Sequence, residues 1–436
     1  MSIFYSSLRS YLTHLDGRAL GSLLNPTNPD NHSFAYSSNH YSIRKTVEKE
    51  LSGISSFRNG ITDRGQRAWV DVVVSFWEVV CELERGNTGR AVVDDGSGLE
   101  LGYWGRAYTK MSAYTTTVSR GFINSGWQNW LLPVLYEACR NLRDFAIRAD
   151  EEEKSVGKSA DKLEDAARHL NKMFTLCLSD RAPLEESRKW GTYYIVGLLF
   201  KTYFKLNAIT LCKNVVRALG ATTTDMPPLD TFPKSHQVTF HYYVGVIHFL
   251  EEDYVNAEMH LNAALQLCQS GSYKNQELIL TYLIPAHLMT THQLPTNTLF
   301  TNYPRLKHLF QSICSTIKTG NLQAFDQALE ENEDEYVRRR IYLTLERGRD
   351  IALRNLFRRV FVINGKKTRI PVDDFRRAMG FAIAGKNGGT RKEVEPEEIE
   401  CLLAGMIYKG LMRGYISREK SMVVLSNKEA FPGTGV

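Results

Sequence analysis

The 436-residue sequence contains no run of eighteen apolar residues, so no segment reads as a helix able to cross a bilayer. Its opening stretch, MSIFYSSLRSYLTHLDGRAL, lacks the apolar core of a secretory signal, and the chain reads as intracellular. Cysteine is sparse and scattered. The seven residues Cys81, Cys139, Cys177, Cys212, Cys268, Cys314 and Cys401 never form a CxxC or CxxH pair, which argues against the common zinc modules and a disulfide framework. Most sit in apolar helical patterns such as ITLCKNVV and LQLCQS, the setting of buried reduced thiols in a cytosolic or nuclear protein.

Catalytic and cofactor motifs are also missing. GKNGGTRK places glycines beside lysine, but it lacks GxxxxGK[ST] and does not join a buried strand to a helix. It reads as a surface loop whose Arg391 and Lys392 remain available to phosphate. All eleven histidines precede the last hundred residues and none falls in an HEXXH pattern; His241 and His248 occupy packing positions of a helical repeat. Asp373 and Asp374 open a helix, where acids complement the dipole. No catalytic residue, metal site or cofactor is expected, and the chain reads as a non-enzyme.

What is present is an ordinary globular composition, 43% hydrophobic and 23% charged, with an uneven charge distribution. From Tyr336 onward there are 21 basic against 11 acidic residues, whereas the preceding 335 residues hold 33 against 37. Basicity confined to the last hundred residues suggests a polyanionic partner more than the net charge of +6 does.

Residues 1 to about 60 read as polar, with NPTNPDNHS as a loop, and helical patterning begins near Gln66. The Val-rich RAWVDVVVSFWEVVCELE is long enough to be a buried helix rather than a strand, and VVDDGSGLELG breaks it. QNWLLPVLYEACRNLRDFAIRA reads as a helix kinked at Pro133, with Trp127 and Trp130 as packing residues. DEEEKSVGKSADK reads as a surface loop before the amphipathic LEDAARHLNKMFTLCL. From Trp190 the pattern repeats. In HYYVGVIHFLEEDYVNAEMHLNAALQL, Val244, Gly245 and His248 precede Ala257, Leu261 and Ala264, the spacing of a tetratricopeptide-like hairpin. YYIVGLLFKTYFKLNAITLCKNVV repeats it more loosely, with Gly197 in the close-packing position. ELILTYLIPAHLMTTHQLP follows with Pro285 inside its first helix, and a fourth hairpin turns at Gly320-Asn321. Such units bury a core by stacking, as a solenoid.

The end of the chain differs. RDIALRNLFRRVFVI, VDDFRRAMGFAIAG and EPEEIECLLAGMIYKGLMR read as three helices, the third opened by Pro396 and closed by Gly414. Ile370 starts a short strand, and GYIS and SMVVLS alternate around REK as a hairpin. Three helices followed by a two-stranded wing is the winged-helix order. The expected fold is all-α: an N-terminal helical region over 1–180, tetratricopeptide-like helical repeats over 181–335 and a winged helix over 336–430. The molecule is expected to be elongated, with its only regular strands near the C-terminus.

Glu335 to Phe361 reads as one helix on which Arg340, Arg347, Arg354 and Arg358 draw a stripe away from apolar Ile341, Leu345, Leu356, Val360 and Phe361. The stripe is either a solvated face or a surface for an anion. Lys366, Lys367, Arg369, Arg391, Lys392, Arg413, Arg418 and Lys420 lie on the turns and wing beside it. With Arg354 and Arg358 they form a candidate set for contacting nucleic-acid phosphates without reading sequence, whereas Arg340 and Arg347 are weaker candidates, beside the acidic run Glu330–Glu335. Met422, Val423 and Val424 form a short apolar final strand, available either to the wing's own core or to a partner domain.

Helical repeats running into a winged helix are the plan of the PCI family. The stretches KWGTYYIVGLLFKTYFKLNAITLCKNVVRAL, HYYVGV, ILTYLIPAHLM, RNLFRRVF and CLLAGMIYKGLMRGYIS resemble the branch of that family found in TREX-type nuclear mRNA export complexes and its signalosome-associated paralogue. The resemblance covers about Trp127 to Leu425. Pro371 stands where a serine cap is expected for the second winged helix. The resemblance implies a non-catalytic scaffold whose winged helix packs beside that of a larger PCI-domain subunit. It also implies a small, acidic, disordered partner shared with the proteasome lid, and a basic platform for RNA or DNA. The location implied is the nucleus, including nuclear pores, with a possible cytoplasmic pool.

Overall fold

The computed structural model describes residues 2–36, 39–52, 63–87, 102–222, 225–383 and 394–432. Every regular element described before Arg369 is helical, and the three strands lie between Arg369 and Leu425. The chain divides into two compact units, Met1–Phe240 and His241–Val436, and the division falls inside the helix Lys234–Leu250. The helical repeats expected over 181–335 are therefore shared between the two units.

The described residues between 2 and 52 hold more helix than their polar composition suggests. Helices Ser2–Thr13, Gly17–Leu23 and Ile43–Ser52 bury Tyr5, Leu8, Leu12, Leu20, Val47 and Leu51. The apolar residues recur at helical spacing and were masked by the polar residues between them. NPTNPDNHS is a loop only in part. Asn28 caps a short 3-10 turn, and buried Asn31 donates through Nδ2 to the carbonyls of Leu23 and Asn25, both at 2.9 Å.

The Val-rich segment is a helix, Asp63–Asn87; most of VVDDGSGLELG lies outside the described residues. Trp127 stacks on Trp69 with ring centroids 4.6 Å apart, in a space open only because Gly121 has no Cβ. Pro133 does not kink a helix. It occupies the first turn of Leu132–Ser155, where its missing N–H has no intrahelical role. That helix runs through the first part, DEEEKS, of the stretch expected as a loop. Its buried Asp150 accepts from the N–H groups of Lys162 and Leu163, at 2.8 and 3.1 Å, and so caps the next helix, Lys162–Leu178.

The hairpins follow the sequence pattern. Thr192–Lys205 pairs with Ile209–Ala221, although Gly197 faces Thr239 of the following hairpin rather than its own partner helix. Tyr254–Leu267 is capped by Asp253 and packs where Gly245 leaves room: a Cβ there would lie 2.8 Å from Leu261 Cγ. Pro285 sits inside the helix Tyr273–Thr290. Gly320, at φ +67°, ends Pro304–Thr319; any Cβ would lie 2.6 Å from the Leu356 backbone N. Asn321 caps the returning helix, Leu322–Glu331.

The winged helix follows. Helix Tyr342–Ile363 leads into β1 (Arg369–Pro371), then Val372–Ile383, Pro396–Tyr408, β2 (Gly414–Ser417) and β3 (Met422–Leu425). The third helix ends at Tyr408, with left-handed Gly410 two residues on, because Leu411 and Met412 turn inward; Gly414 instead begins β2. The antiparallel sheet has the order β1-β3-β2. Ile370 and Val423 point inward to a core that includes Phe375, Leu403 and Met406, and Phe357 meets Phe375 edge-to-face at 5.3 Å. Burying each such side chain contributes about 2 kcal/mol.

Candidate functional site

The arginine segment is two helices rather than one. The first, Glu333–Arg338, is closed by Arg340, which adopts φ +60°. Ile341 N donates to Tyr336 O at 2.9 Å and Arg340 N to Val337 O at 2.9 Å, the paired bonds of a Schellman closure. That position ordinarily takes glycine, so an arginine there gave no break signal. The change of direction removes Arg340 from any stripe. Arg347, four turns before the end of the next helix, donates to Glu252 Oε1 at 2.6 Å. Arg349 forms two bonds to Asp326, at 2.8 and 3.1 Å. The carboxylates that hold these two come from the helical repeats, whereas the neighbouring run supplies Glu335 to Arg338 and Arg339.

Arg354 corrects the expectation that the stripe faces outward. It is 2% exposed. Its guanidinium donates to Asn355 Oδ1 at 2.8 Å and to the carbonyls of Phe431 and Pro432 at 3.3 and 3.1 Å. Asn355 in turn donates to Ile317 O at 2.9 Å. Burial, aided by nearby Arg358, pushes the Arg354 pKa down to about 10. With no carboxylate against it among the described residues, the guanidinium is held by carbonyl dipoles of the folded-back C-terminal segment. Arg354 therefore fastens Phe431 and Pro432 to the helix and is not available to a phosphate.

The wing corrects a second expectation. β3 is the central strand, hydrogen-bonded on both sides, so it offers no docking edge. Val423 is buried in the domain core, whereas Met422 and Val424 are half-buried on the opposite face. Pro371 closes edge strand β1. Without a side-chain cap from it, the following helix gains a bond from Val372 N to Ser421 O, 2.9 Å.

The remaining basic candidates separate by their partners. Arg413 is bonded to Glu429 at 2.6 Å and Arg418 to Glu400 at 2.9 Å, so both are already neutralised. Arg358, Lys366, Lys367, Arg369 and Lys420 are exposed and form no ion pair among the described residues. Arg358, Lys366, Lys367 and Arg369 follow the last turns of Tyr342–Ile363 into β1, and Lys420 lies in the β2–β3 turn. Arg391 and Lys392 lie outside the described residues.

The third helix, Pro396–Tyr408, contains no lysine or arginine. Its solvent face presents Glu397, Glu398, Cys401, Ala404 and Tyr408, the last 93% exposed. Cys401 thus departs from the expectation of buried thiols, as do half-buried Cys81 and Cys268; the other four are buried. An acidic start and an apolar middle suit a protein contact better than a phosphate backbone. The sequence carried this signal in PEEIECLLAGMIY, where no basic residue occurs.

In the helical repeats, His241 Nδ1 lies 2.9 Å from His260 Nδ1, and the His248 ring stacks on that of His260. Burial and both neighbouring histidines pull the His260 pKa down to about 4, which keeps the group neutral and structural. Among the described residues, no group of three or more His, Cys, Asp or Glu is placed to hold a metal ion. No described helix is long and apolar enough to cross a membrane.

Helical hairpins closed by a winged helix define a scaffold-type architecture, and residues 329–427 match the PCI domain. The chain belongs to the PCI-domain family. It is 45% identical to the Neurospora crassa protein named Protein CSN12 homolog, over 97% of each chain. The Schizosaccharomyces pombe protein of the same name is 37% identical over 95% of this chain and 90% of its own. PCI domain-containing protein 2 of Xenopus laevis is 35% identical over 73% of this chain and 78% of its own. The relatives thus join a signalosome-related name to a general PCI name, and proteins of this family assemble with other PCI-domain subunits.

Proposed function

We propose that this protein is a non-catalytic scaffold subunit of a signalosome-like assembly, joined through its winged helix to a larger PCI-domain subunit. The observation that carries the reading is the similarity, over nearly the whole of both chains, to a protein named as a CSN12 homologue. The apolar middle of Pro396–Tyr408, with exposed Tyr408, supplies a surface of suitable chemistry. A small acidic disordered protein is the second partner of this proposal. Purification of the tagged chain from native extract tests it: a large PCI subunit should accompany it in constant ratio. A chain that purifies alone, or that turns over a substrate by itself, overturns the reading.

A second reading, an export-type complex that contacts RNA or DNA in the nucleus and at its pores, has one observation in its favour. The cations Arg358, Lys366, Lys367 and Arg369 are exposed and form no ion pair among the described residues, whereas most of the other described arginines in the last hundred residues are bonded. Each phosphate contact contributes about 0.7 to the salt slope on a single strand. Changing Lys366, Lys367 and Arg369 together to glutamate should flatten that slope by about 2 units and weaken all sequences alike. An unchanged slope in a folded, assembled variant returns these residues to an ordinary solvated surface.

A further inference from the structure

Among the described residues, one face of the three-stranded sheet is left uncovered. Its register places Arg369, Val424 and Tyr415 side by side in one row across β1, β3 and β2. Pro371, Met422 and Ser417 form the next row on the same face, whereas Ile370, Val423 and Ile416 form the row between them on the inner face. Tyr415 is 62% exposed and has no ring partner among the described residues. A large aromatic ring left open on a strand surface, with a cation in the same row two strands away across Val424, gains nothing for the fold.

We propose that this open face binds single-stranded nucleic acid, with the Tyr415 ring stacking on a base and Arg369 holding an adjacent phosphate. The inference rests on the second reading above and specifies its ligand. Three observations favour a single strand. An unstacked base offers a face to an exposed ring, whereas bases in a duplex do not. Exposed cations flank the face at both ends of the sheet: Lys366 and Lys367 before β1, and Lys420 beyond β2. The third helix, the element that enters the major groove in winged-helix DNA readers, opens with Glu397 and Glu398 and carries no basic residue. Its carboxylates repel the phosphates that line such a groove. Apolar contact on the face is limited to half-buried Met422 and Val424 beside Tyr415 and Pro371, a small patch bordered by cations. That charge suits a polyanion better than a protein core.

The test uses the full chain with its copurifying subunits, a labelled oligouridylate and a DNA duplex of equal length, each across a salt series. Tyr415→Ala should weaken oligouridylate binding roughly 5- to 100-fold with no change in salt slope, because stacking is not electrostatic. Tyr415→Phe should retain binding, and Arg369→Gln should lower the slope by about 0.7. Duplex binding should not respond to Tyr415→Ala. Ultraviolet crosslinking should place uridine on Tyr415 by mass spectrometry. Unchanged oligouridylate affinity in Tyr415→Ala, with the Arg369 and lysine variants still weakened, overturns stacking and leaves the charge reading standing. If none of the variants alters binding, both fall. If Tyr415→Ala instead releases a copurifying subunit and leaves nucleic acid unaffected, the face is a protein interface and the proposal is overturned.

Discussion

The two ends of the helix Tyr342–Ile363 use arginine in opposite ways. Near its start, Arg347 and Arg349 are bonded to Glu252 and Asp326 of the repeats. Near its end, Arg358 is exposed without an ion pair among the described residues and continues into Lys366, Lys367 and Arg369. Between them Arg354, four residues from Arg358, is buried under the C-terminal segment. The same side chain, at the same helical spacing, thus serves three purposes. What separates them is which carboxylates or carbonyls the tertiary fold brings near. Charge density along a sequence measures the supply of cations, and only the fold shows how many remain after internal pairing.

The contrast breaks most sharply on the wing, where neighbouring residues face opposite ways. Val423→Asp should destabilise the winged helix by about 4 kcal/mol, because it buries a carboxylate without a partner. Val424→Asp should cost under about 1 kcal/mol. Chemical denaturation of both variants checks this; equal losses would mean that the sheet is not one-sided. Val423 therefore cannot serve as an interface probe, since its loss reads out folding.

The next largest effect is expected at Arg354. Arg354→Ala should cost about 3 kcal/mol, because it leaves the carbonyls of Phe431 and Pro432 and the Asn355 amide oxygen without their donor. Hydrogen exchange should rise in the last described residues, around 428–432, while the helical repeats keep their protection. A variant as stable as the parent would place Arg354 among the free cations after all.

Asp180 extends the comparison to the N-terminal unit. Burial raises its pKa, but bonds from Arg188 and Ser187 outweigh this and hold it at about 2, below the ordinary value of 3.8. A carboxyl depressed in the folded state stabilises above its unfolded pKa and loses that contribution as pH falls through the folded one. About 2 kcal/mol should therefore be lost between about pH 4 and pH 2. Acid titration of Asp180→Asn should show lower stability at neutral pH and a flatter response in that window. The smallest effect is expected at Arg347: its exposed pair with Glu252 should contribute about 0.5 kcal/mol, and Arg347→Ala should leave the melting curve nearly unmoved.

Much of the architecture was legible in the sequence because it rests on local signals. Gly245 before Leu261, Gly320-Asn321 at a turn, and GYIS and MVVL around a polar turn each state a local geometry, and each appears as read. The third helix was found by Pro396 and its first-turn acids. The misses share another cause. Arg340 ends a helix without a breaker residue, Pro133 begins a helix rather than bending one, and Ser2–Thr13, Gly17–Leu23 and Ile43–Ser52 are helices built from sparse apolar positions.

By itself the sequence determined the helical repeats, the winged-helix order and the concentration of basic charge in the last hundred residues, because periodicity, turn residues and composition are properties of neighbouring positions. Only the tertiary structure decided which cations remain free, that Val423 is core while Val424 faces out, and that Tyr415 shares a row with Arg369. Each of these depends on groups far apart in the chain: Glu252 meets Arg347, Pro432 meets Arg354, and β1 and β2 flank β3. Burial and electrostatic neutralisation act over distance in space, and a linear pattern carries no record of that distance until the chain has folded.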